Sequence, residues 1–202
     1  MRSRFDAEPE GWGISFAAPT SYWYLRWFDI ESMMPYVNWV NLMSYDLHGS
    51  WDTEESYVGN YLYSHTNLTE IQDALELLWR NNVPASQVNL GIGFYGRSFT
   101  LEDSKCNTPG CKQKGGADAG PCTGQSGVLS YAEVQSLIAI FNLNVIYDEV
   151  AGVKYLSWNG QLEPKMCISP VTNNGNPQIT SGLPMTTGRP CSRRLNLPMK
   201  TA

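Results

Sequence analysis

Two short stretches gather residue types that can hydrogen-bond, carry charge and stack. The first is Met43-Ser44-Tyr45-Asp46-Leu47-His48-Gly49-Ser50-Trp51-Asp52, which delivers a phenol, a carboxylate and an indole within seven residues. Such a set can hydrogen-bond the hydroxyls of a sugar and cover its apolar face with a ring. The second is Gly93-Phe94-Tyr95-Gly96-Arg97-Ser98-Phe99, with another phenol and a guanidinium whose planar fork of donors suits oxygen acceptors. A lone Tyr-Asp or Tyr-Gly-Arg more often serves packing than chemistry, so what matters is whether the fold brings both stretches to one place.

The elements around them follow an order of strand, loop and helix, the pattern of parallel α/β folds. Residues 13–18 form a short apolar run stopped by Pro19, suited to a buried parallel strand. An aromatic segment from Tyr22 to Trp27 leads into a helical stretch closed by Pro35. Residues 37–45 read as the next strand and turn polar at Asp46, where a parallel barrel would place its active face. Residues 69–80 predict a helix capped by Thr69, with Ile71, Leu75, Leu78 and Trp79 at helical spacing, and residues 88–95 predict a strand after Pro84. From about 98 to 153 Gly, Lys, Asp, Pro and Cys accumulate, as in an excursion inserted after a strand. Within it, 131–141 reads as a helix, and 145–147 and 153–157 as strands. Periodicity disappears after Asn159, and 172–187 has the composition of a disordered segment. The N-terminal residues 1–9 read as the end of an amphipathic helix, with Phe5 as a core contact and Pro9 as its stop; they lack the apolar stretch of a secretory signal.

Composition narrows the partners. The chain has 202 residues, 42% hydrophobic and 16% charged, enough to bury a core but short for a complete eight-fold barrel of about 250 residues. A net charge of −5 without a Lys/Arg run argues against a nucleic-acid partner. No apolar run reaches the roughly 18 residues of a membrane span. Seven Trp could pack in a core or present flat faces to sugar rings. Cys106, Cys111 and Cys122 lack the paired spacing of a zinc site and the chain has only two His, so no metal is expected. One loop-stapling disulfide among those three is expected instead, with an odd thiol left over, which points to an oxidising compartment. Asn67-Leu68-Thr69 is a glycosylation sequon consistent with secretion.

In combination these motifs resemble the chitinases of glycoside hydrolase family 18, of the fungal secreted type. Met43, Tyr45 and Asp46 match the Met-x-Tyr-Asp motif at the end of the family's sixth strand, and His48-Gly49-Ser50-Trp51 follows as it does in the family. Tyr95, Gly96 and Arg97 match the Tyr-Gly-Arg ending the seventh strand. Residues 13–19 resemble the fifth strand, Tyr22-Trp23-Tyr24-Leu25 is similar to the fungal branch, and 106–127 with Tyr147-Asp148 resembles the insertion after strand seven. The resemblance implies a partial (β/α)₈ TIM barrel over residues 1–159, carrying a small α+β insertion, and then an irregular tail over 160–202. It implies an extracellular protein that needs no cofactor and binds chitin or chito-oligosaccharides. The reaction it implies is retaining and substrate-assisted: the 2-acetamido oxygen of the bound sugar attacks its own anomeric carbon, so no carboxylate nucleophile is needed. Tyr45 would orient that acetamido group, Asp46 would hold the same sugar, Met43, Tyr95 and Arg97 would line the site, and Trp51 would stack on the leaving-group side.

Two departures qualify this expectation. The Asp-x-x-Asp-x-Asp-x-Glu run whose Glu protonates the leaving oxygen does not occur in these residues. Nor does the eighth-strand Trp that floors the central subsite: after Trp158-Asn159-Gly160 the text becomes Leu162-Glu163-Pro164-Lys165-Met166-Cys167. The expectation is therefore a fragment of a chitinase barrel, inactive by itself, with a gene-model error as one origin. The alternatives are a lectin-like chitin binder without hydrolysis and a product that does not fold.

Overall fold

The computed structural model describes residues 1–159 and 164–170. Two sheets organise them. The first is parallel, in the order β1 (Ser15–Pro19), β2 (Trp39–Met43), β3 (Val88–Leu90). The helices that connect its strands are α2 (Tyr22–Leu25) and α3 (Ile30–Met33) between β1 and β2, and α4 (Leu68–Arg80) between β2 and β3. A short helix, α1 (Arg2–Asp6), precedes them; Phe5 is half-buried and meets Trp12 edge to face rather than entering a core. Three parallel strands with their crossovers are part of a barrel, and no closed barrel forms among the described residues.

Alternation along β2 decides which face is which. Val40 and Leu42 are buried against Ala18, Leu25, Ile30, Leu78 and Val83, sealing the sheet to its helices. Burying each such Leu or Ile contributes about 1.5–3 kcal/mol. The opposite face is polar: Asn41 donates to the Ser15 hydroxyl at 3.2 Å and accepts from Asn89 at 3.2 Å, a rung across all three strands. Helix α4 begins at Asn67, whose side chain accepts from the Thr69 N–H. The cap is thus Asn67 and not Thr69, because Thr69 is already the second residue of the helix and supplies the N–H that Asn67 accepts.

The second sheet is antiparallel; it takes in the segment expected as an insertion, 98–153, and extends beyond it on both sides. Its strands are β4 (Tyr95–Leu101), β5 (Gln113–Gly116), β6 (Val128–Ser130), β7 (Ile146–Asp148), β8 (Val153–Asn159) and β9 (Pro164–Pro170), in the order β5-β4-β9-β8-β7 with β6 also paired to β4. Helix α5 (Tyr131–Phe141) covers it. Phe99, Leu101, Val153, Tyr155 and Ile168 form its core, and Cys106 is bonded to Cys111 at its edge. Cys122 is also disulfide-bonded, so the odd thiol expected among these three is not there.

Two boundaries differ from the sequence reading. The strand expected over 88–95 stops at Leu90, and Tyr95 starts a strand of the other sheet, because the glycines at 91 and 93 let the backbone leave one sheet and enter the next. The tail expected to be irregular from 160 supplies β9, which is paired along its whole length with β8 and over residues 165–168 with β4. This segment fills the gap between the facing edges of β4 and β8, whose backbone groups it pairs. The disordered segment expected over 172–187 lies outside the described residues.

Candidate active site

The end of β2 is tied to its neighbours before the chemistry begins. The Thr20 hydroxyl donates to the Met43 carbonyl, the Ser44 hydroxyl donates to the Gly91 carbonyl at 2.6 Å, and the Gly91 N–H donates to Leu42 at 2.8 Å. The strand ends at Met43, so Tyr45 and Asp46 stand in the loop beyond it, with Asp46 at φ 60°. That left-handed backbone is unusual outside glycine. It is held by His65, whose Nδ1 accepts the Asp46 N–H at 3.3 Å and whose carbonyl accepts the Leu47 N–H at 3.1 Å.

Asp46 receives three hydrogen bonds on one oxygen. Oδ1 accepts from the Tyr95 hydroxyl at 2.5 Å and from Nε and Nη2 of Arg97 at 3.0 and 2.6 Å. None of these three uses Oδ2. Arg97 is 9% exposed while the Asp46 side chain is 40% exposed, so the cation is fixed and the carboxylate reaches solvent. The backbone of Arg97 is paired on both sides, opposite Val128 of β6 and Ile168 of β9, which makes the antiparallel sheet a rigid mount for the guanidinium. That guanidinium lies 4.7 Å from the centre of the Trp51 ring and 5.4 Å from that of Tyr95. The Trp51 ring lies over Gly49, where a Cβ would come within 2.5 Å of it.

Gly93 shows how the other side chains converge. A Cβ there would meet the His65 ring at 3.2 Å, the Tyr45 Cβ at 3.3 Å and the Tyr95 ring at 3.4 Å, so the three residues share a corner that a larger residue would spread apart. Tyr45 thus adjoins Tyr95, and with Met43 and Asp46 it also lines a cavity of about 420 Å³ at the ends of β1 and β2. The six site residues expected from the sequence fall in one neighbourhood, with Tyr95 and Arg97 arriving from the antiparallel sheet and the other four from β2 and its loop.

Ionisation fits this arrangement. Burial holds His65 well below its usual range, at about 4, with the Asp46 charge only partly opposing it, so the ring is neutral and its Nδ1 is free to accept. Burial and the Asp46 carboxylate push the Tyr95 phenol up, keeping it a donor. His48 behaves differently. Burial alone would lower it, but its Nδ1 meets Asp52 at 3.0 Å and its Nε2 meets Glu70 at 3.0 Å, and together these carboxylates raise it to about 9. As an imidazolium it bolts the loop carrying Trp51 to the first turn of α4.

Sequence reasoning missed His65 and the partners of His48. His65 is nineteen residues from Asp46, on a loop without periodicity, and only the folded path brings it behind the carboxylate.

The comparisons with known proteins bear on the family and the fold. The model for "Glycosyl hydrolases family 18" matches residues 1–168. "Probable chitinase LysM11" of Penicillium expansum is 41% identical over 136 residues, which cover 62% of this chain and 12% of that protein. "Secreted chitinase LysM12" of the same organism is 37% identical over 136 residues, 62% of this chain and 9% of its own length. The chain therefore spans a small part of these relatives. Among solved structures, the class V chitinase of Nicotiana tobaccum superposes with a TM-score of 0.68 at 19% identity, over 84% of this chain and 49% of that one. The Ostrinia furnacalis Group IV chitinase in complex with allosamidin gives 0.66 at 25% identity, over 84% and 46%. A family match over most of the residues, on a half-barrel whose strand ends carry this Tyr, Asp, Trp and Arg cluster, places the chain in glycosyl hydrolases family 18.

Proposed function

We propose that this chain supplies the sugar-holding side of a chitinase site, gripping N-acetylglucosamine units of chitin or chito-oligosaccharides outside the cell. The observation that carries this reading is the single-oxygen clamp on Asp46. With Tyr95 and Arg97 both on Oδ1, Oδ2 is oriented and available to a sugar hydroxyl or amide. Tyr45 offers a phenol beside it for the acetamido oxygen, and Trp51, backed by Arg97, offers an exposed ring face for stacking. The secreted relative and the Cys106–Cys111 disulfide support an extracellular setting.

Hydrolysis needs one thing more. A positioned general acid supplies roughly 10² to 10⁴ of the rate by protonating the departing oxygen. Asp46 has one oxygen engaged by a cation and a phenol and its other oxygen outside those bonds, an arrangement that suits it to holding the sugar. The acidic motif of the family does not occur in these 202 residues. On this reading the chain binds and does not turn over by itself, and the sugar-binding reading without hydrolysis is favoured by that missing motif.

The test has two arms. Isothermal titration with chitohexaose should show binding that falls about tenfold or more in Asp46→Ala, the loss expected when a charged hydrogen-bonding partner is removed. A fluorogenic chitobioside should give no turnover. Turnover equal to that of a complete family member, and abolished by Asp46→Ala, would refute the division of roles.

A further inference from the structure

The antiparallel sheet holds a second cavity at the end away from Asp46. Strand β4 brings Tyr95 and Arg97 to the Asp46 site near its start, and its last residue, Leu101, lines this second cavity of about 410 Å³. From position 95 to position 101, at about 3.3 Å per residue, the strand runs roughly 20 Å. No residue lines both this cavity and the one at the ends of β1 and β2. Its size is that of a small-ligand pocket.

Three elements meet there, and each contributes a group suited to a sugar. Strand β8 ends in Trp158 and Asn159, α5 ends in Phe141, which is 46% exposed, and the loop after β4 brings Asn107. That loop is pinned, because Asn107 lies between Cys106 and Cys111, which are bonded to each other. The Asn107 Nδ2 donates to the Ser157 hydroxyl at 3.5 Å, a long contact that a better acceptor can displace at little cost. No charged side chain lines the cavity among the described residues. Phosphates, carboxylates and amines therefore find no counter-charge there, whereas a neutral ring with an apolar face finds aromatic rings to pack on and carboxamides to pair with. A carboxamide both donates and accepts, and so complements an acetamido group. We infer that this cavity binds one N-acetylglucosamine unit as a second chitin site, separate from the Asp46 site and without a part in bond cleavage. The choice of sugar rests on the chitin-binding reading above; the neutral, ring-lined cavity does not. A polymer long enough to reach both places is held by two contacts, and the second forms at the high effective concentration set by the first.

Nuclear magnetic resonance of the isotope-labelled whole chain, titrated with chitobiose, tests this through two indole N–H signals, those of Trp51 and Trp158. Both should move on titration of the unaltered chain. In Asp46→Ala the Trp51 response should weaken about tenfold while that of Trp158 stays as it was. In Asn107→Ala the midpoint of the Trp158 response should rise about two- to ten-fold, the loss of one hydrogen bond, with Trp51 unchanged. Ser104→Trp, which fills the cavity from an exposed position of the same loop, should abolish the Trp158 response and lower retention on insoluble chitin about threefold or more. A Trp158 signal that stays still while Trp51 saturates, or one that disappears together with Trp51 in Asp46→Ala, would overturn the second site and leave the first intact. A Trp158 response with none at Trp51 would instead overturn the Asp46 reading and leave this site standing. Silence at both would overturn the two together.

Discussion

Asp46 and His48 sit two residues apart and show how neighbours fix opposite electrostatic tasks. Asp46 is paired with Arg97 and keeps a face toward solvent, whereas His48 is buried between Asp52 and Glu70 and is held as a cation. The second arrangement has a pH signature. Raised from 6.5 to about 9, His48 gives stability that is complete below about pH 6.5 and is lost as pH rises through about 9. With Glu70 partly open to solvent, the contribution is on the order of 2 kcal/mol. Urea midpoints at about pH 6 and about pH 9.5 should therefore differ more for the unaltered chain than for His48→Gln, which has no charge to lose. Equal differences in the two would show that the imidazolium does not hold the Trp51 loop to α4. His65 behaves in the reverse sense: neutral already, it is indifferent to that range and keeps the Asp46 backbone fixed across it.

At the level of elements, α5 depends on one carboxylate. Glu133 accepts from the Ser130 N–H and hydroxyl through Oε2 and from the Cys122 and Thr123 N–H groups through Oε1, while Ser130 caps Glu133 in return. Burial opposes its charge, and these donors outweigh that and hold it at about 2. Its stabilisation is present above about pH 4.5 and disappears as pH falls through about 2. Glu133→Gln should cost roughly 2 to 4 kcal/mol, since a neutral amide leaves buried donors poorly matched. Hydrogen exchange at Cys122, Thr123 and Ser130 should speed up, and unchanged protection there would count against the argument. Helix α5 was legible in the sequence because Ser130 precedes Glu133 by three residues, a local signal. So were β1, β2 and α4, whose apolar spacing marks one face. Strand β9 was not legible: nothing within 164–170 announces a strand, and its reason for existing lies in the edges of β4 and β8. The strand-to-strand switch between Leu90 and Tyr95 was hidden likewise, because a glycine-spaced apolar run reads as continuous until the two sheets are seen. The site residues were found by motif, while their geometry, three bonds on a single oxygen, belongs to the meeting of two sheets.

On the scale of the whole molecule, β1 and β3 are the edges of the parallel sheet among the described residues, and Leu90, Ile92 and Phe94 are exposed beside one of them. Unpaired strand edges flanked by apolar side chains recruit other chains. Purified protein should therefore self-associate with concentration in sedimentation velocity, and Ile92→Lys should reduce this by setting a charge at the edge. A monomer with a sharp, reversible melting transition would contradict the expectation. The position of β9 has a temporal meaning as well. Strand β4 leaves the ribosome about seventy residues ahead of β9, and at synthesis rates of roughly 5 to 20 residues per second it waits some 4 to 14 seconds for the partner that completes its pairing. During that interval β4 presents an open edge, joined by that of β8 only near its end, and Arg97 lacks at least one of the two neighbours that hold its backbone. The grip on Asp46 can therefore be among the last features of the molecule to become rigid, and a chaperone that shields β4 during translation would protect the site before the site exists.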